Sequence, residues 1–439
     1  MDWDISRLED LEHYIWRCTA CGTCRVAYDF GPPATCRPIC PAGTEFGFEG
    51  NMSSKGKIAF ARGILDGSLE FDEALLNDIY RCTICGGCQS QCQLDHKPFI
   101  PEIMEAMRRK AVEAGAGPLP LHKNLTRSLK SYNNPYQGPR RLRTDWTRPF
   151  KKAGRPIKDI MKQPAPVLFY VGCTGAFNQQ ARAIPTATAS LFHKLGLDFG
   201  ILGENELCCG STAMRLGDAE EFKRLATQNL ELFKKLHQEQ GVATIVTSCA
   251  GCYRAIKKDY ILSSAYDEMM DGVRVIHTAQ FLYELHQEGK LPLEGGLEMK
   301  ITYHDPCHIG RHLNKFEVDA DGSQLWKGAY LGVSEAECLY EQPRELLKAI
   351  PGVEFVEMER NRANSFCCGG GGGVMTGFGE WAAKNAGLRI QEGLETGAAA
   401  MASTCPFCHY NLSQGAQRIA SDMKVYDLVE LLDQVVPAK

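Results

Sequence analysis

The sequence predicts an α+α/β chain, a helical N-terminal domain followed by two copies of one α/β unit. Apolar residues recur at helical spacing through the first 129 positions. From position 166 onward, short β-rich runs alternate with helical stretches, and the same order is written out twice. Ten of the 20 cysteines fall at matching places in the two copies.

The elements follow in order. GKIAFARGILDG and EALLNDIYR carry helical apolar spacing, and PEIMEAMRRKAVEAG reads as a helix with proline in its first turn. The expected domain 1–129 is therefore α-helical. Residues 130–165 hold several prolines, ten Lys or Arg and two acidic residues, Asp145 and Asp159, and read as a basic connector over the surface. A docking strip for an acidic partner is the functional alternative.

The first copy, 166–295, runs VLFYVGC, the helix ARAIPTATASLFHKLG, the strand FGIL, Cys208-Cys209-Gly210, the helix DAEEFKRLATQNLELFKKLHQEQG, then ATIVTSC and VRVIHTAQFLYEL. The second, 296–439, repeats this order as KITYHDPC, PRELLKAI, VEFVEM, Cys367-Cys368-Gly369, EWAAKNAGLRIQEGLETG, AAAMASTC and MKVYDLVELLDQV. Alternating strands and helices imply a helix-covered parallel sheet in each copy.

The length allows about three domains. A net charge of −4 favours neither nucleic acid nor a strongly charged partner. No signal-type apolar region opens the chain, and no run of 18 apolar residues occurs. A cytoplasmic protein is expected, held at any membrane only through a partner protein.

Tight C-x-x-C and Cys-Cys groups suit thiolates converging on metal better than disulfides, for which vicinal pairs are poor crosslinks. Cys82-x-x-Cys85-x-x-Cys88-x-x-x-Cys92 is the bacterial ferredoxin run, with Gln93 in place of the usual proline. In such a run three thiolates wrap one cluster and the fourth reaches another. The partner run is Cys18, Cys21, Cys24, then Cys36 and Cys40-Pro41. It holds five cysteines for four positions. CTACGTC copies the spacing of CTICGGC, which favours Cys24 as third ligand; Cys36 after an insertion is the open alternative. Two [4Fe–4S] cubanes are expected here. Zinc knuckles, which group cysteines in twos, fit less well.

In each copy the cysteines stand at the carboxyl ends of predicted strands, where open α/β sheets build their sites. The sets are Cys173, Cys208, Cys209, Cys249 and Cys252, then Cys307, Cys367, Cys368, Cys405 and Cys408. Five thiolates exceed what a tetrahedral zinc site or simple cubane needs.

The segments HDPCHIGRH, ERNRANSFCCGGGGG and STCPFC, with the duplicated Cys-Cys-Gly and C-x-x-C, resemble the CCG-domain family. The arrangement is similar to the D-type component of heterodisulfide reductase over nearly the whole chain. That component looks like a fusion of two separate pieces of the enzyme, a ferredoxin-like one and a CCG one. The resemblance implies that the ten repeat cysteines are the catalytic ligands of two noncubane [4Fe–4S] clusters that attack a disulfide between them, with zinc an alternative in the first set. It also implies an electron-transfer role within anaerobic complexes, such as class II benzoyl-CoA reductase assemblies, whose partners are a flavoprotein, a ferredoxin or a membrane cytochrome. Disulfide reduction and simple electron conduction are both consistent with it.

This chain departs from the pattern in one place: 59 residues separate Cys307 from Cys367, against 34 in the first copy, because of an insertion near 314–338. Cys338 within it reads as a spare thiol. Gly210, Gly369 and Gly370 are expected to let backbone pass close to a cluster and give N–H groups to its sulfurs. His304, Asp305 and His308 flank Cys307 as proton relays or as structural hydrogen-bonding groups.

Overall fold

The computed structural model describes residues 1–29, 35–48, 52–313 and 338–438. The insertion near 314–338 lies outside these residues except for Cys338, which is buried.

Helices Ser54–Leu65, Glu73–Tyr80 and Ile100–Glu113 form where the apolar spacing places them. They bury one common stripe, including Ile58, Ile64, Leu75, Ile79, Ile103 and Met107. Asp72 caps the second by accepting the Leu75 N–H at 2.7 Å. The frame also contains a hairpin absent from the sequence reading, β1 (Val26–Asp29) antiparallel to β2 (Thr35–Pro38), which carries Cys36 on its second strand.

β3 (Lys158–Asp159), β4 (Val167–Phe169), β5 (Phe199–Ile201), β6 (Thr244–Thr247) and β7 (Arg274–His277) form one parallel sheet in the order β3-β5-β4-β6-β7. β8 (Met299–Tyr303), β9 (Val353–Phe355), β10 (Ala400–Ser403) and β11 (Lys424–Asp427) form a second, in the order β9-β8-β10-β11. Apart from β3, the two orders are the same, so the sequence repeat is a repeat of topology. Even the caps correspond: the side chains of His277 and Asp427, at equivalent strand ends, accept the N–H of Ala279 and Val429 and start the closing helices.

The two units pack as pseudo-mates. Helix Ala183–Lys194 of the first lies on Leu428–Val435 of the second, and Thr278–Gln287 of the first lies on Glu341–Ala349 of the second. Each contact joins the opening helix of one copy to the closing helix of the other, which is the signature of a two-fold relation. Leu191, Leu282, Leu346 and Leu432 meet in one core there.

The segment 130–165 is more than a surface strip. It supplies β3 to the first sheet, buries Trp146 against Phe169 and Phe192, and turns Arg143 inward. Composition alone gives its charge but not these anchors.

The N-terminal module is fastened to both units through Arg108, which is wholly buried. Its guanidinium donates to the carbonyls of Ile79, Tyr80 and Cys82 in the module, Arg215 in the first unit and Gly372 in the second. Gly217 (φ +88°) passes the Arg108 backbone so closely that a Cβ would stand 2.5 Å from its carbonyl. Among the described residues no helix is long and apolar enough to cross a membrane.

Candidate metal centres

Three cavities collect the cysteines. An outer one, near the surface, is lined by Cys18, Cys21, Cys24 and Cys92. An inner one is lined by Cys40, Cys82, Cys85 and Cys88. Each thus takes three cysteines from one run and the last cysteine of the other. Cys24 is buried in the outer cavity, while Cys36 stands exposed on β2 and lines neither.

The third cavity, of about 350 Å³, is lined by all ten repeat cysteines. The strands deliver them: Cys173, Cys249, Cys307 and Cys405 follow β4, β6, β8 and β10 within a few residues, and the two-fold packing turns both carboxyl edges toward one space. Thiol-to-thiol contacts run Cys173–Cys208–Cys209–Cys252–Cys249 in the first set. The same pattern runs Cys307–Cys367–Cys368–Cys408–Cys405 in the second. Cys249 touches its counterpart Cys405 across the pseudo-axis, and Cys367 touches Cys85 of the inner cavity. None of the twenty cysteines forms a disulfide.

The donor sets fit metal clusters on two grounds. Four thiols close each N-terminal cavity and five enter each half of the third, numbers that single-proton chemistry does not require. Moreover, Lys57, Arg108 and Arg311 are buried against the inner thiol loops with carbonyl partners: Asp78 for Lys57, Cys82 for Arg108, and Cys85, Ala363 and Ser365 for Arg311. Buried cations need anions nearby. As plain thiols the neighbours would be neutral, since burial pushes Cys40 up to about 12 and Cys88 well above the usual thiol range. A coordinating thiol is deprotonated outright and adds negative charge beside these cations, to that of Glu105 near Arg108 and Asp78 near Lys57. In the first repeat Arg143 donates to Cys173 Sγ at 3.2 Å and to Glu206 at 2.6 Å.

The flanking residues divide by role. Asp305 accepts both guanidinium N–H groups of Arg344, at 2.6 and 3.0 Å, and the Arg362 N–H, so its carboxylate is committed to structure. His304 joins Cys368 and Cys408 in a group whose ligand atoms lie within 4.8 Å of one another, and His308 and His312 do so with Cys307. Burial, reinforced by Arg215, pushes His308 down to about 3. The N–H of Gly369 donates to Cys367 Sγ at 3.3 Å, Gly210 does the same for Cys208, and Gly370 lines the large cavity. The next glycines line it too and have a second contact. Gly371 and Gly372 press against the Cys82–Thr83 backbone, where a Cβ on Gly372 (φ +61°) would stand 2.7 Å from the Cys82 carbonyl.

The CCG cysteine-rich domain is matched twice, over residues 167–257 and 301–413, the stretches that bring the ten thiols together. The D-type component of the dihydromethanophenazine:CoB–CoM heterodisulfide reductase of Methanosarcina barkeri is 34% identical over 367 residues, 83% of this chain and 79% of that protein. The chain belongs to the CCG cysteine-rich family. Among other relatives of this CCG protein, the probable iron–sulfur-binding oxidoreductase FadF of Bacillus subtilis is 30% identical over 415 residues, 91% of the chain and 53% of that protein. The EtfAB:quinone oxidoreductase of Syntrophomonas wolfei is 29% identical over 387 residues, 84% of the chain and 48% of that protein. The protein is an iron–sulfur oxidoreductase or a component of one, related to both heterodisulfide reductase D and quinone-linked electron transfer.

Sequence reasoning did not find the buried cations. A signal for Lys57 was present: it shares the helical stripe of Ala61 and Ile64, a lysine on an apolar face. Arg108 likewise follows Ile100 and Met104 along one face. Arg143 and the Cys85–Cys367 contact carried no sequence signal, because both depend on how separate elements dock.

Proposed function

We propose that this CCG protein accepts electrons at its N-terminal module and delivers them to the ten-cysteine cavity, where a disulfide is reduced in heterodisulfide-reductase fashion. The observation that carries this reading is continuity. Thiols reach from the inner N-terminal cavity through Cys85 and Cys367 into one cavity shared by both repeat sets. On this reading residues 1–129 form a ferredoxin-like domain with cubane [4Fe–4S] clusters on Cys18, Cys21, Cys24 and Cys92 and on Cys82, Cys85, Cys88 and Cys40. Residues 166–295 and 296–439 form CCG domains whose five-cysteine sets hold noncubane [4Fe–4S] clusters. Clusters held there supply one-electron redox chemistry.

The chain's own residues set the rest. Reducing a disulfide takes two electrons and two protons, and the pseudo-two-fold places an equivalent thiol set on each side of the substrate space. His304, beside Cys368 and Cys408, is the imidazole able to hold a proton at a departing sulfur, while His308, kept neutral by burial beside Cys307, offers only a hydrogen bond there. Exposed Cys21 marks the entry side, where a flavoprotein, ferredoxin or membrane cytochrome partner docks from the cytoplasm.

A second reading, an electron conduit without its own disulfide substrate, is favoured by the names of two relatives, an EtfAB:quinone oxidoreductase and an iron–sulfur-binding oxidoreductase. Anaerobic iron analysis and EPR separate these. Four clusters give about 16 Fe per chain, and zinc-filled repeats about half of that. EPR changes on adding thiol or disulfide support disulfide reduction. A fully loaded protein whose spectra ignore both is a conduit.

A further inference from the structure

Lys57, Arg108 and Arg311 share one address. Lys57, 2% exposed, lines the inner cavity and donates its ammonium N–H to the Asp78 carbonyl at 2.5 Å, while the Asp78 carboxylate pairs with Arg81. Arg108 and Arg311, 0% and 2% exposed, hold the carbonyls of Cys82 and Cys85, two cysteines of that same cavity.

Cations around the outer cavity differ in kind. Arg17 is about half exposed and paired with Asp95, and Lys55 and Arg62 are partly open to water. Solvent and salt screen these, whereas the three buried charges act through a poorly polarisable interior. The Gly43 and Ile84 N–H groups add to the effect, donating at 3.4 Å to the sulfurs of Cys40 and Cys82. Burial alone makes a centre harder to load with an electron. Nearby positive charge and N–H···S donors work the other way. Such donors reach both centres, with the Thr23 N–H on Cys21 and the Lys55 N–H on Cys24 at the outer one, whereas the buried positive charge is concentrated on the inner centre.

We propose that the inner N-terminal centre has the higher reduction potential of the pair, so that an electron accepted at the exposed outer centre is drawn inward toward Cys85 and Cys367. The inference rests on the reading that both cavities hold [4Fe–4S] clusters. The step is one-electron transfer: the outer centre is oxidised, the inner is reduced, no bond forms or breaks, and a one-electron donor re-reduces the outer centre. Lys57 is a positioning residue for this charge, not a ligand.

The test is a potentiometric titration of the anaerobically loaded full chain with dithionite, followed by EPR. Cys21→Ser alters a residue that lines the outer cavity alone and so marks that centre's signal. In the wild type the inner signal grows in at higher potential. Lys57→Met lowers the inner centre's reduced-to-oxidised ratio at fixed potential at least tenfold, about 59 mV for a one-electron couple, and leaves the outer midpoint in place. An outer centre that reduces first overturns the inference, as does a Lys57→Met shift equal in both centres. If Lys57→Met does not take up iron, Lys57→Gln replaces it and the wild-type order of reduction decides alone. A protein without cluster signals from this module overturns the cluster reading itself, a result distinct from a reversed order.

Discussion

Replacing Arg108 with methionine removes a group that touches all three parts of the molecule. Its shortest hydrogen bonds, 2.6–2.7 Å, go to the carbonyls of Cys82, Arg215 and Gly372, one in each part. A buried acceptor left without its donor costs about 1–3 kcal/mol, so three together cost about 3–9 kcal/mol. Part of this is returned. A buried guanidinium carries a desolvation penalty of several kcal/mol that methionine lacks, and methionine fills much of the same volume. The net is about 3 kcal/mol, or on the order of 100-fold in the equilibrium between docked and undocked module. In a protein of several domains this is read better as local opening than as a single unfolding midpoint. The assay is amide hydrogen exchange by mass spectrometry over peptides covering 79–84, 213–217 and 370–374. Arg108→Met raises exchange in all three together, while helices remote from the interface keep their protection. Arg108→Lys recovers only part, because one ammonium cannot reach carbonyls on three sides. Protection within about twofold of wild type in those peptides refutes the view that this guanidinium locks the module in place.

Cys24→Ala lowers iron content by about four per chain, while Cys36→Ala leaves it unchanged; equal loss from both contradicts the outer-cavity assignment. Gly372→Ala forces a Cβ to within 2.7 Å of the Cys82 carbonyl at φ +61° and destabilises the protein by about 2–4 kcal/mol. A thermal unfolding scan shows the loss, and an unchanged Tm refutes the close approach. Glu392 gives a pH signature: burial would raise its pKa, but Arg389 and Arg360 outweigh this and hold it at about 2. A depressed carboxylate stabilises the fold above its ordinary value near 4.5, and that contribution drains away as pH falls from there toward 2, up to about 3 kcal/mol in all. The stability gap between wild type and Glu392→Gln, from urea unfolding, therefore narrows between pH 6 and 3; a constant gap contradicts the assignment.

Spacing revealed most of the elements and little of their docking. The helix Ala219–Gln240 and its counterpart Gly379–Glu395 are long and strongly patterned, so their period is visible in the chain itself. The cysteine sets were legible because thiolates that share a metal must leave a short strand end or a tight turn together. β3 was not legible: two residues, Lys158 and Asp159, have no period, and their strand character comes from pairing with Gly200 and Ile201. The glycine run was legible as a close approach but not as to what approaches. Gly369 gives its N–H to Cys367 Sγ and Gly370 lines the thiol cavity, as the flanking cysteines suggest, while Gly371 and Gly372 also press on the Cys82–Thr83 backbone, nearly 290 positions away in sequence. The chain cannot announce such a partner, because the contact exists only after three folded units have met.

The duplication explains both what is symmetric in this CCG protein and what is not. Two copies of one α/β unit, packed opening helix on closing helix, turn two strand edges toward each other. A single cavity with equivalent thiol sets follows from that packing, and Cys249 meets Cys405 because they are the same position in the two copies. The N-terminal module breaks the symmetry, since it has one docking site. Cys85 meets Cys367 of the second copy, whereas the equivalent Cys208 of the first gives its N–H to the Asn133 carbonyl at 2.9 Å. On the proposed route, then, the second set stands between the module and the first, and the pair is ordered in series although its sequences and topologies match. Arg311, which clasps the Cys85 carbonyl from the loop just after Cys307, ties that ordering to the second copy: the residue at the same offset after Cys173 in the first copy, Phe177, packs against Tyr136 and Arg143.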